Sequence, residues 1–143
     1  MFTVTETVTI ARPRAEVFAF LADGARRPEW DETVVFERLT SPEPVGVGST
    51  IHSRVRAMGR ENDFHWRVTR YAPPEQLATV STSGPVATEF DLAFTETDAG
   101  CTVRATIEAT PGGLMRLVEP MIAETVRSTL AVSLSRAKTL LER

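Results

Sequence analysis

The sequence predicts an α+β fold in which a curved antiparallel sheet of seven strands wraps around one long helix at the carboxyl end of the chain. Two observations carry this prediction. From about residue 113 to residue 143, apolar residues recur at helical spacing. The remainder of the chain contains the alternating segments that are typical of strands. A sheet that buries the apolar stripe of one long helix must curl around it, and we expect a cavity between the two. The stripe comprises Leu114, Leu117, Val118, Met121, Ile122, Val126, Leu130, Leu134, Ala137 and Leu141.

Length and charge indicate one small domain spanning residues 1–143 and exclude several classes of partner. The 16 basic and 19 acidic residues give a net charge of −3, and the basic residues are scattered, so no nucleic-acid surface is expected. A single cysteine, Cys101, excludes an internal disulfide and suits a reducing compartment. No signal peptide and no apolar run of about 18 residues is found, so a cytoplasmic protein without integral membrane association is expected.

The first third of the chain predicts a strand, two short helices and a second strand. Residues 2–10 alternate between apolar residues and threonines, as a half-buried strand does. Pro13 occupies a first helical position, and apolar residues up to Ala22 predict a short helix. A second short helix is predicted from Ala25 to Trp30, and Val34 to Leu39 forms the second strand.

A hairpin with one apolar face follows, and two turns are compatible with it. A glycine-first turn at Gly59-Arg60 would place Val55 opposite Phe64 and Ser53 opposite Trp66. A turn at Met58-Gly59 would instead place Arg54 opposite Asp63, but it requires a positive φ at Met58. The glycine-first turn is preferred. Three further strands are predicted at about 77–81, 86–96 and 101–109.

Several spaced segments resemble the START-like superfamily, also called SRPBCC, which has the helix-grip fold. The match is closer to its polyketide cyclase/dehydrase and lipid-transport branch. The resemblance implies an internal cavity, which members of the superfamily use for lipid carriage, hormone sensing, polyketide cyclisation or protein contacts. It supplies no catalytic residues to transfer. The segments are residues 8–13, 16–21, 28–30, 47–49 and 68–74, and the last helix from Leu114 to Glu142.

The candidate ligand-binding residues are those expected to face this cavity. The resemblance places Trp30 at the cavity rim, where it would stack on a flat ligand or act as a packing anchor. The apolar phase of the strands points Phe64, Trp66 and Phe90 inward, with Ser53 and Thr88 as interrupting hydroxyls. The helix wall of the cavity is predicted to consist of Val118, Met121, Ile122, Thr125 and Val126.

The titratable residues give one weak catalytic candidate. Glu6 shares the phase of the apolar residues in the first strand, so it either faces the cavity as an acid or base or reaches water at the strand end. His52 and His65 fall in the outward phase, and Cys101 in the buried one. Two histidines without a third ligand do not predict a metal site. No cofactor is expected.

Together these patterns predict binding of a small hydrophobic or aromatic molecule, lipid-like or polyketide-like, by a carrier or sensor. One alternative is a cyclase or dehydratase acting inside the same cavity. The other is a protein-interaction module. A monomer or a homodimer fits the sequence equally well.

Overall fold

The computed structural model describes residues 1–57 and 59–143, and it confirms the predicted α+β architecture. Two short helices separate the first two strands, and a long helix follows the last strand. The first elements are β1 (Phe2–Ile10), α1 (Arg14–Leu21), a 3₁₀ turn (Gly24–Arg26) and α2 (Arg27–Trp30). The strands that follow are β2 (Val34–Leu39), β3 (Thr50–Ala57), β4 (Arg60–Ala72), β5 (Gln76–Ser83), β6 (Ala87–Thr97) and β7 (Gly100–Thr110). A 3₁₀ segment (Gly113–Val118) leads into α3 (Glu119–Leu141).

The seven strands form one antiparallel sheet in the order β1-β7-β6-β5-β4-β3-β2. Every strand from β2 to β7 pairs with its neighbour in sequence, and β1 pairs with β7. Register shifts interrupt β2 between Val34 and Phe36, and β4 between His65 and Trp66 and between Val68 and Arg70. Irregularities of this kind increase local twist, which helps the sheet to curl.

The β3–β4 hairpin uses the turn that the sequence analysis did not prefer. Ala57 pairs with Arg60 and Ser53 with Phe64, so the two-residue loop contains residues 58 and 59, and the predicted Gly59-Arg60 turn is wrong. The two registers differ by two residues, and such a shift leaves every side chain on its original face. Gly59 has φ of 75°, a conformation that glycine adopts at no steric cost. Met58 lies outside the described residues.

The hydrophobic core occupies one half of the sheet. Its buried members lie on β1, β6 and β7 and on the three α-helices, and none of those in the described chain lies on β2 to β5. Trp30 is among them. The half of the sheet formed by β2 to β5 is therefore free to enclose a cavity. The buried members are Val4, Ile10, Val17, Phe18, Phe20, Leu21, Trp30, Leu92, Phe94, Cys101, Val103, Ala105, Leu130, Leu134 and Ala137.

Helix α3 packs along β1, and only the later part of its apolar stripe is buried. Leu130 and Leu134 join the core, and Lys138 Nζ donates a hydrogen bond to the Thr9 carbonyl at 2.6 Å. At the other end, Leu117 is 80% exposed and Met121 69% exposed. The sheet does not cover this end of the apolar stripe, because α3 contacts β1 and α2 rather than the middle strands. None of the helices described, in 1–57 and 59–143, is long and apolar enough to span a bilayer.

Candidate ligand-binding cavity

A cavity of about 800 Å³ lies between the inner face of β2 to β6 and the segment that contains α1 and the following turn. This volume is within the range of small-molecule sites. Most of the lining is apolar. The sheet contributes Val34, Glu37, Arg38, Leu39, Ile51, Ser53, Val55, Trp66, Val68, Tyr71, Leu77, Thr79, Phe90 and Leu92, and the loops beside it contribute Glu43, Val45, Pro73 and Pro74. The helical segment contributes Ala15, Phe18, Ala19, Leu21, Ala22, Asp23, Gly24, Ala25 and Arg27.

A hydrogen bond fixes the indole in the cavity wall. Trp66 on β4 donates its Nε1 hydrogen to the Ser53 hydroxyl on β3 at 2.9 Å. Ser53 is buried, so this pairing satisfies two polar groups that water does not reach readily. Phe64 stacks against Trp66 with ring centroids 5.3 Å apart and an interplanar angle of 16°. The two aromatic rings and the serine thus form one ordered part of the wall.

Glu37 on β2 is an acidic group of the cavity that the sequence analysis did not identify. The irregularity between Val34 and Phe36 places Glu37 opposite Ser53, so that Val34 and Glu37 both line the cavity. No described residue donates a hydrogen bond to the Glu37 carboxylate. Burial raises the pKa of Glu37; Arg27 opposes this increase, and the nearby Asp31 and Asp23 add to it.

Arg27 is the basic group that acts on Glu37, and it is held in place from several sides. Its guanidinium carbon lies 4.4 Å from the centroid of the Trp30 ring and 4.8 Å from that of Phe90. Its Nε and Nη2 each donate to Asp31 Oδ2 at 3.3 Å. The other Asp31 oxygen accepts bonds from the backbone N–H and the hydroxyl of Thr33. Asp31 therefore compensates the charge of Arg27.

Gly24 provides the room that the Glu37 carboxylate occupies. A β-carbon built on Gly24 would lie 2.7 Å from Glu37 Oε2, closer than a normal contact. The carboxylate is the far end of a flexible side chain. A larger residue at position 24 would therefore displace the Glu37 carboxylate and leave the backbone in place. The sequence around Gly24 does not indicate this spatial role. Glu37, Arg27 and Gly24 together form the polar end of the cavity.

The family model described as polyketide cyclase / dehydrase and lipid transport matches residues 1–142. The chain belongs to this family. The resemblance drawn from the spaced sequence segments is thereby confirmed. Family and fold indicate hydrophobic ligand binding or a role like that of a polyketide cyclase. No curated protein gives a significant match.

Several solved structures are similar to this protein over nearly the whole chain. A START superfamily protein from Mycobacterium smegmatis has 17% identity and a TM-score of 0.81, with 98% of this chain and 97% of that chain covered. The Zhui aromatase/cyclase from a Streptomyces species has 17% identity and a TM-score of 0.80, with coverage of 99% and 94%. A protein from Thermus thermophilus has 18% identity and a TM-score of 0.76, with coverage of 96% and 98%. At such identities the likeness establishes the fold.

The strand residues predicted to bind ligand lie in or next to the cavity of this family member. Ser53, Trp66 and Phe90 line it, and Phe64 lies beside Trp66 without being part of the lining. Thr88 is outside the lining as well. Its hydroxyl donates to the Val86 carbonyl at 2.9 Å, so its polar group is satisfied locally.

The helix residues predicted to form a wall lie elsewhere, and α1 with the following turn takes their place. Val118, Met121, Ile122, Thr125 and Val126 are absent from the cavity lining, because the start of α3 runs beside β1 and away from β2 to β5. Trp30 has no exposed surface and belongs to the core, so its predicted place at the cavity rim is wrong. Glu6 is half-buried on β1, pairs with Ala105, and is likewise outside the lining.

The two histidines lie on the outer face of the sheet, where the alternation predicts them. Their rings stack with centroids 4.6 Å apart and an interplanar angle of 6°. His52 is half-buried, because Phe36 covers one edge and Asp63 accepts its Nε2 hydrogen at 3.0 Å. Hydrogen bonds from His52 and Arg54 lower the pKa of Asp63. In the part of the chain that the structure describes, no three potential metal ligands cluster.

Proposed function

We propose that this chain binds a small, mostly apolar molecule in the cavity between β2 to β6 and α1. The observation that carries the proposal is a cavity of about 800 Å³ with apolar walls and a few polar groups at fixed positions. Membership of the polyketide cyclase/dehydrase and lipid transport family supports it. A carrier or a sensor would use such a cavity without changing the ligand.

Burial of apolar surface supplies the affinity in this proposal. A ligand that buries roughly 200 Å² of apolar surface gains about 5 kcal/mol. Part of this gain offsets the loss of translational and rotational freedom on association. Trp66, Phe90 and Tyr71 provide flat aromatic surface in the lining. The proposed ligand is therefore a ring-containing molecule.

A pair of variants on one strand tests the cavity as the binding site. The neutral probe N-phenyl-1-naphthylamine is titrated into the protein, and energy transfer from tryptophan is recorded. Thr79 lines the cavity on β5, whereas Thr82 on the same strand is exposed. We expect saturable binding that Thr79→Phe weakens by at least about tenfold, or about 1.4 kcal/mol, and that Thr82→Phe leaves unchanged. No saturable binding, or equal weakening by both variants, would refute the proposal.

A second candidate function is a cyclase or dehydratase, and one specific observation favours it. Glu37, whose carboxyl has no described hydrogen-bond donor, and Arg27 line the same cavity. A carboxyl with a raised pKa is suited to give or take a proton, and a guanidinium to stabilise developing negative charge. If this candidate is correct, the protein accelerates cyclisation of a poly-β-keto thioester, and Glu37→Gln abolishes the acceleration while probe binding persists. Equal rates with and without protein would exclude it for that substrate.

A further inference from the structure

Resting on the proposed binding function, we propose that Glu37 is the polar anchor of the cavity and selects ring-containing ligands that carry a neutral hydroxyl donor, a phenol or an alcohol. The anchor is the carboxyl group on β2 that the irregular register turns into the cavity.

The first argument is that Ser53, opposite Glu37 on β3, and Arg27, the basic group that acts on Glu37, already have partners. Ser53 accepts the indole hydrogen of Trp66, and Arg27 donates twice to Asp31. Among residues 1–57 and 59–143, no donor reaches the Glu37 carboxylate. Glu37 is half-buried, and a carboxyl that a ligand covers needs a hydrogen-bond partner in place of water. Glu37 is the group that a bound ligand would satisfy.

The second argument concerns the sign of the charges near Glu37. Two acids act on Glu37, namely Asp23, which precedes the 3₁₀ turn, and Asp31, which follows α2. Arg27 is the basic group that acts on Glu37, and it is paired with Asp31. A ligand carboxylate or phosphate would add negative charge beside these acids. A carboxylate only accepts hydrogen bonds. The surroundings therefore favour a ligand that donates one.

The third argument separates a hydroxyl from an ammonium group. An ammonium ion at Glu37 would lose its hydration in a mostly apolar cavity and would lie near the guanidinium of Arg27. Burial also raises the pKa of Glu37, which favours the uncharged carboxyl. An uncharged carboxyl accepts a hydrogen bond from a hydroxyl or donates one to it. A neutral hydroxyl thus matches both protonation states of Glu37.

Three naphthalene probes of matched size test this assignment. They are 2-naphthol, its methyl ether 2-methoxynaphthalene, and 2-naphthylmethylamine in its ammonium form, each titrated at pH 6. We expect the wild-type protein to bind 2-naphthol at least about tenfold more tightly than the ether, as one hydrogen bond to an acid that the ligand covers allows. Glu37→Leu should reduce this ratio to about one while the affinity for the ether is retained. Exposed Glu32, on the neighbouring loop, provides the matched control Glu32→Leu.

The possible results separate failure of the anchor from failure of the cavity. If 2-naphthol and the ether bind the wild-type protein equally, Glu37 is not an anchor, although the cavity still binds. If neither binds, the proposed function itself fails. If the ammonium probe binds most tightly, the ligand class is cationic and the neutral-hydroxyl assignment is overturned. Glu37→Gln provides the comparison if Glu37→Leu does not fold, and it should leave 2-naphthol bound less tightly than in the wild type.

Discussion

Trp66 donates its indole N–H to the Ser53 hydroxyl at 2.9 Å, diagonally across the β3–β4 ladder. The directly paired residues are Ser53 with Phe64 and Ile51 with Trp66. The bond fixes the plane of the indole in the cavity wall. Because Ser53 is 2% exposed, water does not readily replace it. The orientation of the largest aromatic ring of the lining thus depends on one small hydroxyl.

Removal of this hydroxyl should destabilise the protein. Ser53→Ala leaves the Trp66 N–H without its acceptor, which we expect to lower the free energy of unfolding by about 1–3 kcal/mol. Urea denaturation monitored by circular dichroism measures the change. Ser128→Ala on the exposed side of α3 is the control and should stay within about 0.5 kcal/mol. A loss at Ser53 no larger than this control would mean that the hydrogen bond does not contribute.

Trp30 should behave as a core residue. It is fully buried, and its N–H has no partner among the described residues. Trp30→Ala should therefore cost about 3–5 kcal/mol. Trp30→Phe should cost clearly less, because it keeps an aromatic ring and removes an unsatisfied polar group. Thermal and urea unfolding of both variants test this ranking, and equal losses would contradict it.

Glu37 should make stability depend on pH in a defined direction. Its pKa is raised in the folded state, so the carboxyl contributes fully to stability below the unfolded pKa of about 4.3, and this contribution is lost as the pH rises through the folded value. Glu37→Gln removes the titrating group. Relative to the wild type, the variant should gain stability as the pH is raised from 4 to 8.

Urea titrations at each pH measure this difference. Glu32→Gln, which replaces an exposed carboxylate, should track the wild type throughout. A Glu37→Gln variant that loses stability relative to the wild type on going to high pH would reverse the sign and show that the buried carboxylate is stabilised by its surroundings.

The stacked histidines should contribute unequally to stability. Both alanine variants lose the ring stack. His65→Ala also loses a hydrogen bond between exposed groups, to Ser83, whereas half-buried His52 loses both the contact with Phe36 and the hydrogen bond to Asp63. We expect His52→Ala to cost about 1 kcal/mol or more and His65→Ala less. Chemical denaturation at pH 7.5 provides the comparison. A larger loss for His65→Ala would show that the contacts to Phe36 and Asp63 carry little energy.

Strand alternation was sufficient to predict most of the fold and one wall of the cavity. The inward phase of Ser53, Trp66 and Phe90 follows from the two-residue period, which the structure retains in β3, β4 and β6. The same period misleads at β2, because an irregularity between Val34 and Phe36 changes the phase and turns Glu37 inward. Nothing in the residues 34–39 signals that change.

The long helix α3 shows what a hydrophobic period in the sequence does not predict. Its 3.6-residue period identified an apolar stripe, but a period does not specify which surface covers the stripe. Val118 and Met121 thus belong to a stripe that was predicted to face the cavity, whereas α3 lies along β1. Trp30 was misplaced for a related reason, because its burial depends on how α2 packs against α3 and not on its neighbours in sequence.

Core and cavity share Phe18, Leu21 and Leu92, but much of the cavity wall on β2 to β5 lies outside the buried cluster, and this has a consequence for divergence within the family. The buried cluster is formed by β1, β6, β7 and the helices, whereas Ile51, Val55 and Thr79 line the cavity without belonging to it. Substitutions at such positions would alter the shape of the site at little cost to stability. The cavity wall can therefore change while folding is preserved, and a protein with this arrangement is a suitable starting scaffold for engineering the binding of chosen small molecules.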